Sequence, residues 1–179
     1  MTTEFAQIGY LPKNIRRVRF AAMAEEKEIL SISNCISEPA CEIPFHDTSL
    51  TDCYLFPSDE IGDQFPHATL LSFALMRTVF RDGRAAAFAP IRFRGASTPT
   101  GSTAVRGYEA VNAQQASFGY GPFECSPLSC NSVAEVEPTN QYCLCDELES
   151  AVRLAREFSK GGYEPGDYFV VQVSEVINS

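Results

Sequence analysis

The chain lacks most of the residues and sequence motifs from which an enzymatic activity is usually inferred. It contains no tryptophan and only two histidines among its 179 residues. It has no Gly-x-Ser-x-Gly nucleophile elbow and no glycine-rich phosphate loop of either standard spacing. These absences disfavour nucleotide hydrolysis and dinucleotide binding. The basic-aromatic motif of an RNA-binding sheet is also missing.

Long hydrophobic runs are absent as well. The longest nearly apolar stretch, Leu70–Met76, is far shorter than the roughly 20 residues that a membrane-spanning helix needs. The first residues, Met1–Phe5, do not show the basic and then apolar segments of a secretory signal. We therefore expect a soluble cytoplasmic protein that does not bind membranes.

Length and composition favour a single globular domain. An apolar content of 45% is ordinary for a folded protein, and 179 residues are enough for a hydrophobic core. We predict one domain over residues 1–179. Proline, glycine and small polar residues predict loop-rich segments at 34–68 and 95–141.

The net charge of −9 is unevenly distributed. Residues 1–24 and 67–106 are basic, whereas residues 25–66 and 107–179 are strongly acidic. An acidic chain is repelled by nucleic acid, so we expect no nucleic-acid partner. The blocks either neutralise each other within the fold or form an acidic face for a basic protein partner.

The most informative segment runs over about residues 70–94. Asp82-Gly83 between two strand-like runs predicts a β-hairpin with a two-residue turn. That loop length sets Arg81 opposite Arg84. It places three arginines on one face, where a small anionic ligand would bind: Arg77, Arg81 and Arg84.

The last third of the chain predicts strand, helix and strand. Tyr142–Cys145 is predicted to form a short strand and Tyr168–Val173 a second strand, buried on the face of Phe169, Val171 and Val173. Between them Asp146 is predicted to cap a helix, supported by Glu149 three residues later and by an Arg153 that pairs with Glu149. The apolar stripe of this helix consists of Leu148, Ala151, Val152, Ala155 and Phe158.

This order of elements favours a parallel crossover between the two strands. The fold class predicted for the whole chain is α+β, with a mainly antiparallel sheet, a central β-hairpin at about 70–94 and a C-terminal strand-helix-strand unit.

Seven cysteines are many for a cytosolic chain, where disulfides are rare. Four of them could hold a structural zinc ion, since thiolates are ligands that zinc prefers: Cys125, Cys130, Cys143 and Cys145. The spacing lacks a C-x2-C pair, and buried free thiols explain the same residues. We expect no other cofactor.

A second group of cysteines lies in the acidic loop region with both histidines. A nucleophilic cysteine needs a base close to it, so Cys41, His46 and His67 are the catalytic candidates. Cys35 and Cys53 would complete a mixed Cys/His metal site there.

The sequence resembles no family that we recognise. The function that it favours is a binding module that acts by electrostatic protein–protein contact, in an inhibitor-, immunity- or regulator-type role. The alternatives are a small cysteine- or metal-dependent enzyme that uses the 35–67 loops, and a zinc-stabilised structural domain.

Overall fold

A computed structural model describes residues 4–19, 26–33, 40, 55–88, 96–116, 119–130 and 137–177, with the backbone alone for 114–116, 119–122, 124–125 and 130. The fold is α+β and mostly antiparallel sheet. The main sheet has the order β1-β4-β8-β6-β7, with β5 also paired to β4. Its strands are β1 (Phe5–Lys13), β4 (Thr69–Arg81), β5 (Arg84–Ala87), β6 (Ser102–Ala116), β7 (Gly119–Cys125) and β8 (Asp167–Ile177).

The remaining elements are short except for one helix. Strands β2 (Arg16–Val18) and β3 (Lys27–Ile29) form a separate antiparallel pair. A 3₁₀ helix covers Asp59–Gln64, α1 covers Pro127–Cys130 and α2 covers Leu148–Phe158. Within the described residues, no helix has the length and apolar character that crossing a membrane requires.

The β4–β5 hairpin has the register that the sequence predicts. Arg81 lies opposite Arg84 and Val79 opposite Ala86. Asp82 and Gly83 have φ angles of 49° and 74°, as a type I′ turn requires of both central residues. The strand ends at Ala87, and residues 89–95 of the predicted hairpin lie outside the described part of the chain.

Strand β8 is the central strand of the sheet, and its apolar side chains point to both faces. On the first face, Phe169, Val171 and Val173 join a core with β4 and with residues 30–32. On the second face, Tyr168 and Val170 pack against α2. The sequence predicts only the first of these faces, but burial on both sides is what a central strand needs.

The predicted helix is present as α2, and it packs on the second face of the sheet, but its buried stripe differs from the predicted one. Ala151, Leu154, Ala155 and Phe158 are buried there, whereas the predicted Leu148 and Val152 are only partly buried. Gly161, with φ 102°, follows the end of the helix, as expected of a residue that stops it.

The polar contacts predicted at the start of α2 are wrong. Glu147, and not Asp146, occupies the N-cap, and its side chain makes no capping bond. Asp146 instead accepts a hydrogen bond from Asn140, at 3.0 Å. Arg153 pairs with Glu137 and Glu157 in place of Glu149.

The strand predicted at 142–145 is also wrong, because this segment is a turn built around Asn140. The Asn140 side chain accepts bonds from the backbone N–H groups of Tyr142 and Leu144. Cys143 has a φ of 59°, which no strand allows. Of these four residues only Cys145 forms a backbone β-bridge, which pairs it with Tyr108 of β6.

The C-terminal unit keeps the common direction of the predicted parallel crossover, but a single β-bridge at Cys145 takes the place of its first strand, and this bridge does not pair with β8. Strand β8 pairs antiparallel with both of its neighbours, β4 and β6. Because Cys145 is antiparallel to β6, the short bridge and β8 run in the same direction with β6 between them.

Two segments differ from what their composition predicts. Good helix formers at 21–30 favour a helix within residues 12–30, but where the chain is described this region forms β2 and β3. Within the predicted loop-rich segment 95–141, where the composition favours at most a short strand at 104–111, β6 extends over Ser102–Ala116, because it is paired with β8 along most of its length.

The Asn140 turn fits against a bulge in β6 at Gly107, and this contact gives a stability test. Gly107 has a φ of 146°, and a Cβ there would lie 2.7 Å from the Cys145 carbonyl oxygen. Gly161 also has a positive φ, of 102°, but a Cβ there would meet nothing within 4 Å. Gly107→Ala should lower the free energy of unfolding by about 2–4 kcal/mol, and Gly161→Ala by about 1 kcal/mol.

Denaturant unfolding of the two variants measures this difference. Equal losses would show that backbone strain alone, and not the packing of the turn against β6, makes Gly107 necessary.

Candidate functional site

The three predicted arginines do not form a free basic patch. Arg81 makes two hydrogen bonds to the buried carboxylate of Asp167, one from Nε at 2.6 Å. Arg77 Nε lies 3.5 Å from a Glu4 carboxylate oxygen. Arg84 is exposed, and among the described residues it has no ion-pair partner. Capture of an anion by all three arginines would have to break two ion pairs.

These pairs show that the charge blocks of the sequence meet in the fold. Arg81 and Asp167 come from different blocks, and so do Arg106 and Glu175. The exposed pair of Arg17 and Glu28 joins the first two blocks. Neutralisation within the fold therefore accounts for part of the charge pattern.

Two of the four predicted zinc ligands are buried, uncharged thiols. Cys143 and Cys145 are free and each 1% exposed, and burial raises the pKa of each to about 11. Cys125 ends β7 and Cys130 ends α1, but their side chains lie outside the described ones. Among the described residues, no group of three or more potential ligands could hold a metal ion.

The catalytic candidates are not brought together by the described part of the structure. His67 is exposed in a turn after the 3₁₀ helix, where the Ala68 N–H bonds the Phe65 carbonyl. Cys41 and His46 lie outside the described residues, as do Cys35 and Cys53.

The most unusual polar group is Glu109, which lies in an otherwise apolar face of the sheet. It is in register with Val171 of β8 and is 0% exposed. Its carboxylate accepts hydrogen bonds from the Ile32 N–H and from the Ser31 hydroxyl, each at 2.7 Å. Sequence reasoning missed this residue, although a lone carboxylate between apolar residues of a strand was a usable signal.

Lys13 supplies the opposite charge. It is also 0% exposed, and its ammonium group donates to the Ser33 carbonyl at 3.0 Å. Burial lowers the pKa of Lys13 to about 7, opposed by the charge of Glu109. Burial raises the pKa of Glu109, opposed by its two hydrogen bonds and by Lys13. The pair ties residues 31–33 to two strands of the sheet.

A groove beside α2 is the described cavity best placed to bind a partner. It has a volume of about 520 Å³ and is open to solvent. Its apolar residues are Met76, Leu148 and Val152. Its charged residues are Glu149, Arg153, Arg156, Glu157 and Lys160. The sequence assigned α2 only a buried stripe and missed this second, charged stripe at helical spacing.

The groove opens onto a part of the second sheet face that α2 does not cover. A row of paired residues crosses four strands here and is partly exposed: Gln7, Ala74, Gln172 and Tyr108. The Phe5 ring lies 6.1 Å from that of Tyr108. Beside α2, this part of the second face is therefore only partly shielded from solvent.

Comparison with known proteins finds no matching family model, no matching curated protein and no matching solved structure.

The buried pair predicts a strong energetic coupling. Glu109→Gln and Lys13→Met should each lower the free energy of unfolding by about 3–5 kcal/mol, because each leaves a buried charge without its partner. The double variant should lose clearly less than the sum of the two. Denaturant unfolding of all four proteins gives the coupling energy.

The exposed pair of Arg17 and Glu28, with 70% and 34% side-chain exposure, is the matched control. Arg17→Met and Glu28→Gln should each cost less than about 1 kcal/mol. Additive losses at Lys13 and Glu109 would show that the two charges do not support each other.

The zinc hypothesis predicts about one zinc per chain in the chelator-washed native protein. In that case bound metal, as well as burial, would protect Cys143 and Cys145 from thiol reagents. Metal analysis and thiol titration of one sample, before and after unfolding, distinguish protection by metal from protection by burial. Seven titratable thiols on unfolding and no zinc would refute the site.

Proposed function

We propose that this chain is a binding module that acts by protein–protein contact through the groove beside α2, in an inhibitor-, immunity- or regulator-type role. The observation that carries this proposal is the composition of the groove. Apolar side chains line it together with charges of both signs, of which Glu149, Arg156 and Lys160 have no ion-pair partner among the described residues, an arrangement typical of surfaces that bury a partner segment.

The charges of the groove support a role in recognition. Glu149, Arg156 and Lys160 are exposed, and none of them forms an ion pair with another described residue. By contrast, Arg77, Arg81 and Arg106 are each held by a carboxylate of the fold. The groove therefore retains charges of both signs that a partner would complete.

The alternatives gain less support from the described residues. An enzyme in the 35–67 loops would rest on Cys41, His46 and His67, and of these only His67 lies among the described residues, exposed in a turn. A zinc-stabilised domain would rest in part on Cys143 and Cys145, two buried thiols with raised pKa values.

A photo-cross-linking amino acid in place of Val152 tests the groove directly. In extracts of cells that naturally produce the protein, or in the purified chain, it should give one discrete covalent product. The same probe in place of Arg17, exposed on the separate β2–β3 pair, is the control and should not give that product. Excess unmodified chain should suppress the product by competition.

A chain carrying Val152→Glu, which places a charge among the apolar lining residues of the groove, should compete poorly. Equal products from positions 152 and 17, or equal competition by Val152→Glu, would contradict the proposal.

A further inference from the structure

The exposed charges along α2 follow an order that an antiparallel copy of the same helix would match with opposite charges. Glu149 and Arg156 both line the groove and lie seven residues apart, which is about two helical turns. Asp146, just before the helix, and Lys160, just after it, continue the same order with one acidic and one basic group. Among the charges without an ion-pair partner in the described residues, acidic groups thus occupy the start of α2 and basic groups its end, whereas Glu157 in the last turn is paired with Arg153.

We infer that the groove beside α2 binds α2 of a second copy of this chain, with the two helices antiparallel about a two-fold axis. This inference rests on the proposed function and names its partner. Glu149 of each copy then meets Arg156 of the other, and Asp146 of each meets Lys160 of the other. A two-fold axis forms every such pair twice.

The same arrangement places apolar residues at the axis. In an antiparallel pair with Glu149 opposite Arg156, the midpoint falls between residues 152 and 153. Val152 is partly buried and lines the groove with Leu148. Arg153 contributes its aliphatic stem there, while its guanidinium group stays paired with Glu137 and Glu157.

The open part of the second sheet face provides space for the second helix. Ala74, Gln172 and Tyr108 are partly exposed beside the groove. The two α2 helices would lie side by side between the two sheets, each covering the part that the other leaves open. Antiparallel packing also sets the helix dipoles in a favourable orientation.

The order of the charges, and not their total, favours this partner. Each chain has a net charge of −9, so two copies repel each other at long range. Salt weakens that repulsion and the local ion pairs alike. A change of ionic strength is therefore a poor test, whereas exchange of the charges within one pair is a sharp one.

Sedimentation equilibrium of the full chain, up to about 1 mM, measures the association. The wild-type chain should form a dimer. Glu149→Arg and Arg156→Glu should each raise the dissociation constant at least about tenfold, because each sets like charges opposite one another twice. The double variant, which restores opposite charges, should return to within about threefold of wild type.

Two control variants carry the same charge changes outside the groove. Glu28→Arg and Arg17→Glu, on the exposed β2–β3 pair, should leave the dissociation constant unchanged. Circular dichroism should show that all variants are folded, as expected for substitutions of exposed side chains.

A monomer at all concentrations would overturn the inference, and so would a double variant that associates no better than the single ones. The cross-linking experiment separates this failure from that of the proposed function. A product from position 152 with the mass of a different protein would support the proposed function but show that the partner is not a second copy of this chain. No product from position 152 together with a monomeric chain would overturn both.

Discussion

The structure depends on a carboxylate buried in the apolar face of its sheet. Glu109 cannot lose its water unless other groups replace it, and the Ile32 N–H, the Ser31 hydroxyl and the Lys13 charge do so. Those groups come from segments far apart in the chain. The free-energy cost of removing Glu109 from water is offset only when β1, β6 and residues 31–33 lie next to one another as they do here.

The two faces of the sheet are completed by different means. The first face combines apolar side chains from five strands with Leu30 and Ile32, and the Glu109 contacts hold that covering segment in place. The second face is covered at one end by α2 and at the other by the 3₁₀ helix with Ile61. Between these elements lie the partly exposed Gln172 and Tyr108, and this unequal covering leaves the groove open.

The parts of the fold that the sequence predicted are those governed by local rules. The Asp82-Gly83 turn sets its own register, because positive φ at two successive residues leaves few alternatives. The spacing of apolar residues likewise predicts α2. At residues 142–145, by contrast, alternation predicted a strand, but the Asn140 side chain competes for the backbone N–H groups and turns the chain.

The candidate site was less predictable than the fold, for a related reason. The predicted register of Arg81 opposite Arg84 is present, but the acidic partners of Arg77 and Arg81, Glu4 and Asp167, are distant in sequence. Similarly, the spacing of Glu149 and Arg156 is visible in the sequence, whereas Met76 on the opposite side of the groove is not.

The sequence by itself determined the hairpin turn, the helix and the apolar character of β8, since each of these depends on neighbours a few residues away. Only the tertiary structure decided which strands lie side by side, which charges neutralise each other and which part of the second face stays open. These depend on contacts such as Lys13 with Ser33 and Glu109 with Ile32, whose energies arise only when distant segments leave water together.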